Sequence, residues 1–274
     1  MSFLVNNQTC VPKRITDARI ISIDQVKPEH FRVKLHCPYI ALNSKPGQFI
    51  HVQVSNSYDP LLSRPLAVFR SQGEEFEILF RVVGKGTKIL AEKCVGDNLL
   101  IVGPLGKCFP VDKKCQKAII VSGGMGIAAL MSLIEGMTDQ DIHVLLGVAT
   151  EKQLIGEDDL NDLGVKIHIA TDDGSRGYKG FVSELLLKLI NDGIISTEQN
   201  CIFACGPIPM LKSVAYIGQE KGIQTYVSLE ERMACGIGAC MGCACRVVSS
   251  GNKLEYKMVC KDGPVFNARE LIWD

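Results

Sequence analysis

Four cysteines near the end of the chain restrict its fold more than any other feature. Cys235 is followed by Cys240 and Cys243, and Cys260 lies seventeen positions further on. Three thiols from one short loop and a fourth from a distance match the spacing that holds a [2Fe-2S] cluster. Gly236, Gly238 and Gly242 lie between the ligands, where a loop folded tightly around two irons needs backbone freedom. A single zinc ion is the competing reading, since four thiolates also satisfy tetrahedral zinc, although zinc sites more often show two short paired knuckles. Cys245 stands two residues beyond Cys243 on an expected strand, and its spacing suits packing rather than ligation.

The remainder of the chain narrows the class. Thirty basic residues balance thirty acidic ones among 274 residues, so no net field draws in nucleic acid or an anionic membrane. The most apolar stretch, Ala118 to Ile134, is interrupted by Gly123, Gly124 and Gly126, which argues against a membrane span. The first residues lack the basic and apolar regions of a signal peptide, so a cytoplasmic location is expected, and the sequon Asn7-Gln8-Thr9 reads as accidental. Twelve cysteines in a reducing compartment point to metal or redox chemistry before disulfides.

Three textures follow one another. Between Arg14 and about Val111, six short β-rich runs separated by turn residues predict a small antiparallel barrel or sandwich. After Lys113, strand-like runs such as Ala118 to Ser122 alternate with helical ones such as Phe181 to Ile190, the pattern of a parallel α/β sheet. The linker falls near Pro110 to Gln116. From about Leu229 the tail is rich in Cys and Gly and ends in an expected hairpin, Ala244 to Val248 with Leu254 to Val259. Some forty residues make a weak core, so a metal staple is a natural supplement. The expected domains are 1–112, 113–228 and 229–274.

Two glycine turns suit phosphates. Gly84-Lys85-Gly86-Thr87 opens an expected helix, and Gly123-Gly124-Met125-Gly126 lies between a strand and a helix, where backbone N-H groups meet dinucleotide phosphates. A branched side chain at Gly126 is expected to block that approach. Cys205-Gly206-Pro207 follows the strand Cys201 to Ala204, which puts Cys205 at a carboxyl end. Each of these turns could equally be an ordinary connection.

Their order carries more: Arg64-Pro65-Leu66-Ala67 in the β-rich part, the glycine turn and Cys205 in the α/β part, then the four cysteines. That order resembles the ferredoxin reductase family, with FAD on a barrel and a nicotinamide on an α/β domain. The segment Ser228 to Cys243, with Cys260-Lys261-Asp262-Gly263-Pro264-Val265-Phe266, resembles the electron-transfer subunits of type B dihydroorotate dehydrogenases. The resemblance implies FAD bound by Arg64, Pro65, Leu66, Ala67, Leu79, Phe80, Arg81, Gly86 and Thr87. It implies NAD at Gly123, Gly124, Gly126 and Cys205, and the cluster on Cys235, Cys240, Cys243 and Cys260. Ala67 departs from the serine common in the family and removes a hydroxyl from the flavin side.

The resemblance also implies a partner, an FMN-containing dihydroorotate dehydrogenase catalytic subunit, in a heterotetramer with two copies of each chain. A (β/α)8 barrel needs about 250 residues, and this chain's length is already assigned, so the substrate-oxidising step belongs to that partner. The alternative is a subunit of another oxidoreductase, of sulfide dehydrogenase or NADH:ferredoxin type, in which Asp often replaces the first cluster ligand. Asp172-Asp173 would disfavour a 2′-phosphate and so select NAD over NADP, if the pair lines the ribose.

Overall fold

The computed structural model describes residues 12–110, 115, 117–137, 141–198, 200–249 and 251–273. The sequon at Asn7 and most of the expected linker lie outside the described residues. Among those described, the first half forms one seven-stranded antiparallel sheet, curled into an open barrel, in the order β4-β3-β7-β1-β2-β6-β5. Its strands are β1 (Arg14–Lys27), β2 (His30–His36), β3 (Phe49–Gln53), β4 (Arg64–Ala67), β5 (Arg70–Gln72), β6 (Glu75–Arg81) and β7 (Asn98–Leu105). Ile20, Val33, Leu35, Ile50, Val52, Ile78 and Phe80 alternate inward to fill it. Leu66 and Arg70 belong to separate strands, β4 and β5, and two helices border the sheet, α1 (Pro38–Asn43) and α2 (Lys85–Ala91).

The second half is a parallel sheet, because Ile119, Ile120 and Val121 are buried on both faces and only covering helices can dry both sides. It comprises β8 (Lys117–Gly123), β9 (Asp141–Val148), β10 (Lys166–Thr171), β11 (Tyr178–Lys179), β12 (Asn200–Cys205) and β13 (Gln224–Ser228). Helices α3 (Ile127–Glu135), α4 (Glu157–Asp162), α5 (Val182–Asn191) and α6 (Ile208–Glu220) accompany it. The strand order is β11-β10-β9-β8-β12-β13-β16, and β8, β12 and β13 end side by side with Ser122, Cys205 and Ser228 in register.

The tail forms the hairpin β14 (Ala244–Val248) and β15 (Leu254–Met258), then the short helix α7 (Val259–Asp262), which carries Cys260. The chain then returns as β16 (Val265–Asn267) and pairs antiparallel with β13, with Val265 opposite Ser228. The cysteine-rich stretch is therefore an excursion that leaves and rejoins a single strand. Cys115 and Cys201 form a disulfide between the entry to β8 and the start of β12. This was not foreseen, because the two residues lie 86 positions apart and neither belongs to the cysteine cluster.

An ionic lock joins barrel to α/β sheet. Arg32 on β2 and Arg70 on β5 both reach Asp159 of α4, the second at 3.1 Å, and Arg70 also meets Glu135 of α3 at 3.0 Å. Both guanidinium groups lie near the ring of fully buried Phe69, at 4.9 and 5.2 Å. Neutralising the acceptor that the two half-buried cations share leaves Arg70 with Glu135 alone and Arg32 with only the more distant Glu77, at 3.8 Å. Asp159→Asn is expected to cost about 2–3 kcal/mol, read as a lower urea midpoint with the slope unchanged.

Candidate functional site

The four cysteines come together as two pairs. The Cys240 N-H donates to Cys235 Sγ at 3.4 Å, and the Cys260 N-H donates to Cys243 Sγ at 3.4 Å, while Gly242 N-H reaches Cys240 Sγ at 3.5 Å. Among the described residues no three His, Cys, Asp or Glu side chains converge so as to hold one metal ion. Two thiol pairs with backbone donors on their sulfurs are the arrangement for two irons, each taking two thiolates. Burial disfavours the Cys235 thiolate, but N-H groups of Ile237, Cys240 and Ala239 and the Cys240 thiol outweigh it and bring the thiol to about 6. Burial and the Cys243 thiol push Cys260 up to about 12. Cys243 and Cys260 are buried, whereas Cys235 is half-buried and Cys240 exposed. Cys245 lies on β14 opposite Lys257, packs against the neighbouring core and is pushed up to about 11, first by burial.

On the barrel, Arg64 and Gly86 meet. A Cβ at Gly86 would lie 2.3 Å from the Arg64 guanidinium, so that side chain crosses from β4 onto the start of α2. Gly84 has open space beside it, and Arg81, Val83 and Lys88 line the same surface depression. Glu29 lines it too and pairs with Arg81 at 3.3 Å, so the open glycine is bordered by Lys88 and by an arginine already engaged with a carboxylate. Leu79 and Phe80 are turned into the two cores that flank β6, which leaves only their backbone available to a ligand. Thr87 Oγ1 is occupied locally, accepting from the N-H groups of Val83 and Gly84 and donating to the Gly84 carbonyl. Pro65 and Ala67 lie opposite His51 and Phe49 across the β3-β4 pairing.

At the carboxyl end of the parallel sheet, the two turns singled out by sequence are pressed together. A Cβ at Gly126 would lie 2.0 Å from the Cys205 carbonyl oxygen, and one at Gly206 would lie 2.9 Å from Gly123 Cα. Gly123 faces Met210 and Pro207 in the same way, while Gly124, at φ +55°, has nothing within 4 Å. Gly126 is therefore required by packing between turns, and Gly124 is the glycine left open to a ligand. This corrects the reason for expecting a branched side chain at Gly126 to do harm. Cys205 is fully buried, and burial, then the Glu230 carboxylate, push its thiol strongly upward.

Sequence reasoning passed over three side chains here. Ser122 and Ser228 flank Cys205 in register, and Ser122 Oγ is buried without a hydrogen-bond partner. In-register neighbours on a sheet share a face, so Ser122, Cys205 and Ser228 lie on the same side of it. An orphaned hydroxyl at strand ends fits a polar ligand there. The third is His51 on β3, 4% exposed, with Nε2 buried and unpartnered. Burial, then Arg64, hold its basicity below the usual histidine range. Asp172 and Asp173 form an exposed turn after β10, where Asp173 accepts from the Ser175 hydroxyl at 2.6 Å.

Comparison with known proteins gives consistent matches. Residues 230–272 match the iron-sulfur cluster binding domain of dihydroorotate dehydrogenase B, and residues 120–216 match the oxidoreductase NAD-binding domain. The chain is 34% identical over 266 residues to the dihydroorotate dehydrogenase B (NAD(+)) electron transfer subunit of Desulforamulus reducens, covering 95% of this chain and 99% of that protein. It is 41% identical to that of a Geobacillus species, over 83% and 86% of the two chains. Among solved structures, a chain of NADH-dependent reduced ferredoxin-NADP oxidoreductase superposes with a TM-score of 0.80 at 30% identity, over 94% and 90% of the two chains. The ferredoxin NADP+ reductase of Neisseria gonorrhoeae, with bound FAD and NADP, shares the fold at a TM-score of 0.66 and 18% identity, over 80% and 94%.

The turn packing makes a graded prediction. Gly126→Ala forces a methyl against a carbonyl and is expected to destabilise by about 3 kcal/mol, at the upper end of overpacking costs. Gly124→Ala meets only the left-handed backbone penalty of about 1 kcal/mol. Denaturant unfolding of the two variants tests the order.

Proposed function

The chain belongs to the family of electron-transfer subunits of dihydroorotate dehydrogenase B, and from that membership we propose how its residues divide the work. Electrons arrive from the FMN of a dihydroorotate-oxidising partner subunit, pass a [2Fe-2S] cluster on Cys235, Cys240, Cys243 and Cys260, and reach NAD through FAD. When bound, the flavin supplies exchange between two-electron hydride transfer and one-electron steps at the cluster.

The observation that carries this reading is the double pairing of β13. Cys205 lies opposite Ser228 on one edge and Val265 opposite Ser228 on the other, so one strand places both the nicotinamide end and the cysteine excursion beside the barrel. Arg64, Gly86 and the Gly84 turn hold the flavin's phosphates, Pro65, Leu66 and Ala67 offer strand backbone, and Leu79, Phe80 and Arg81 border it. Thr87 keeps the turn in shape. Gly124 admits the nicotinamide phosphates, Gly123 and Gly126 let the turn seat on Cys205-Gly206, and Ser122, Cys205 and Ser228 line the gap toward the flavin. The exposed carboxylates at Asp172 and Asp173 repel a 2′-phosphate and favour NAD.

No residue of this chain removes a proton from dihydroorotate in this reading; the partner's barrel does so, in a cytoplasmic heterotetramer of two copies of each chain. The divisions 1–112, 113–228 and 229–274 assign flavin, nicotinamide and cluster to successive segments. A cluster with Cys235 as first ligand speaks against the NADH:ferredoxin alternative.

Two measurements test the reading. Cys→Ser at any of the four ligand positions is expected to abolish or badly disturb the cluster's visible and EPR spectra, while Cys245→Ser preserves them; the reverse pattern at Cys260 and Cys245 overturns the ligand set. In the complex assembled with the FMN subunit, Cys240→Ser is expected to lose dihydroorotate-dependent NAD reduction yet keep NADH reduction of an artificial two-electron acceptor. Full dihydroorotate-to-NAD turnover without a cluster refutes the relay.

A further inference from the structure

His51 stands where the flavin strand meets the cysteine loop. On β3, Ile50 and Val52 point into the barrel, whereas Phe49 belongs to the separate core that also contains Cys243, Val259 and Cys260. Strand alternation puts His51 on the outer side with Phe49. A Cβ on Gly236 would come within 2.9 Å of His51 Nδ1, 3.1 Å of Cγ and 3.2 Å of Cε1. The Nδ1 edge of the imidazole therefore lies against the residue that follows Cys235. Gly236 also sits at φ +68°, so both backbone conformation and the ring demand glycine there.

His51 pairs in register with Pro65, the neighbour of Arg64. Its Nε2 is buried and has no hydrogen-bond partner among the described residues. Leaving such a group unpaired costs about 1–3 kcal/mol. That cost is removed when a bound group supplies the partner.

We propose that His51 is a positioning residue for electron passage between the two redox sites: its ring sets the spacing between the Cys235 loop and the Arg64 strand, and its Nε2 hydrogen-bonds a redox group bound at their junction. The inference rests on the relay reading above. Hydrogen bonds to cluster sulfurs and to flavin ring atoms both shift potentials, so the potentials identify which group is the partner.

The test uses the full chain with FAD and cluster in place, reduced anaerobically by NADH. Flavin reduction is followed by stopped-flow absorbance, cluster reduction by freeze-quench EPR, and both midpoint potentials by titration. In His51→Leu the ratio of cluster reduction rate to flavin reduction rate is expected to fall about tenfold, the loss typical of removing an outer-shell partner. One midpoint potential moves with it; a moved cluster potential assigns Nε2 to a sulfur, and a moved flavin potential assigns it to the flavin. His51→Gln, which restores an N-H donor, is expected to recover part of the ratio. An unmoved ratio with unmoved potentials in His51→Leu overturns the inference, as does an equal loss in both variants accompanied by loss of FAD. Should His51→Leu fail to hold both groups, His51→Gln carries the test, with a lowered ratio expected and an unchanged one overturning it. An unsubstituted chain without a cluster refutes the relay reading and this inference together, whereas an intact cluster with an unmoved ratio refutes His51 alone.

Discussion

The contact between Gly126 and the Cys205 carbonyl is the constraint on which the second half of the molecule depends. With no side chain between them, the turn after β8 seats directly on the turn after β12. The strands end at one level, and Ser122, Cys205 and Ser228 form a single in-register row. The ion pairs of Asp159 and Glu135 with Arg32 and Arg70 hold the barrel opposite this edge.

The cysteine loop depends on different physics. Its sulfurs are held by backbone N-H groups at short range, which favour thiolate over thiol at Cys235 without a cationic side chain. Cys235 and Cys240 reach toward solvent while Cys243 and Cys260 are enclosed. The loop thus has one open and one closed side, and the open side leaves room for a second chain to approach.

Local chemistry was legible in the sequence, and long-range pairing was not. The iron-sulfur region could be recognised because cysteine spacing is a short-range property of the chain. Apolar runs such as Ile119 to Val121 revealed buried parallel strands because both of their faces must be dry. Nothing near His51 signals that Gly236, far away in sequence, will rest on its ring. Ser122 stood out only as the end of an expected strand, and its neighbours depend on a register with β12 that no local pattern encodes. The return of β16 to β13 was equally hidden, since three residues carry too weak a pattern to indicate a partner. The sequence pattern marked Gly126 as a phosphate turn, and the close approach of the Cys205 backbone adds a packing demand that no local pattern encodes.

The excursion that leaves β13 after Ser228 returns at Val265, where strand pairing closes it at its base. Closing a loop of this size costs roughly 3–4 kcal/mol on the scale used for cross-linked chains, and the pairing of β16 with β13 offsets part of that cost. Opening of the cysteine loop that leaves this pairing intact is then a local event, of lower free energy than global unfolding. A protease that cuts within the excursion would leave both of its ends anchored in the sheet.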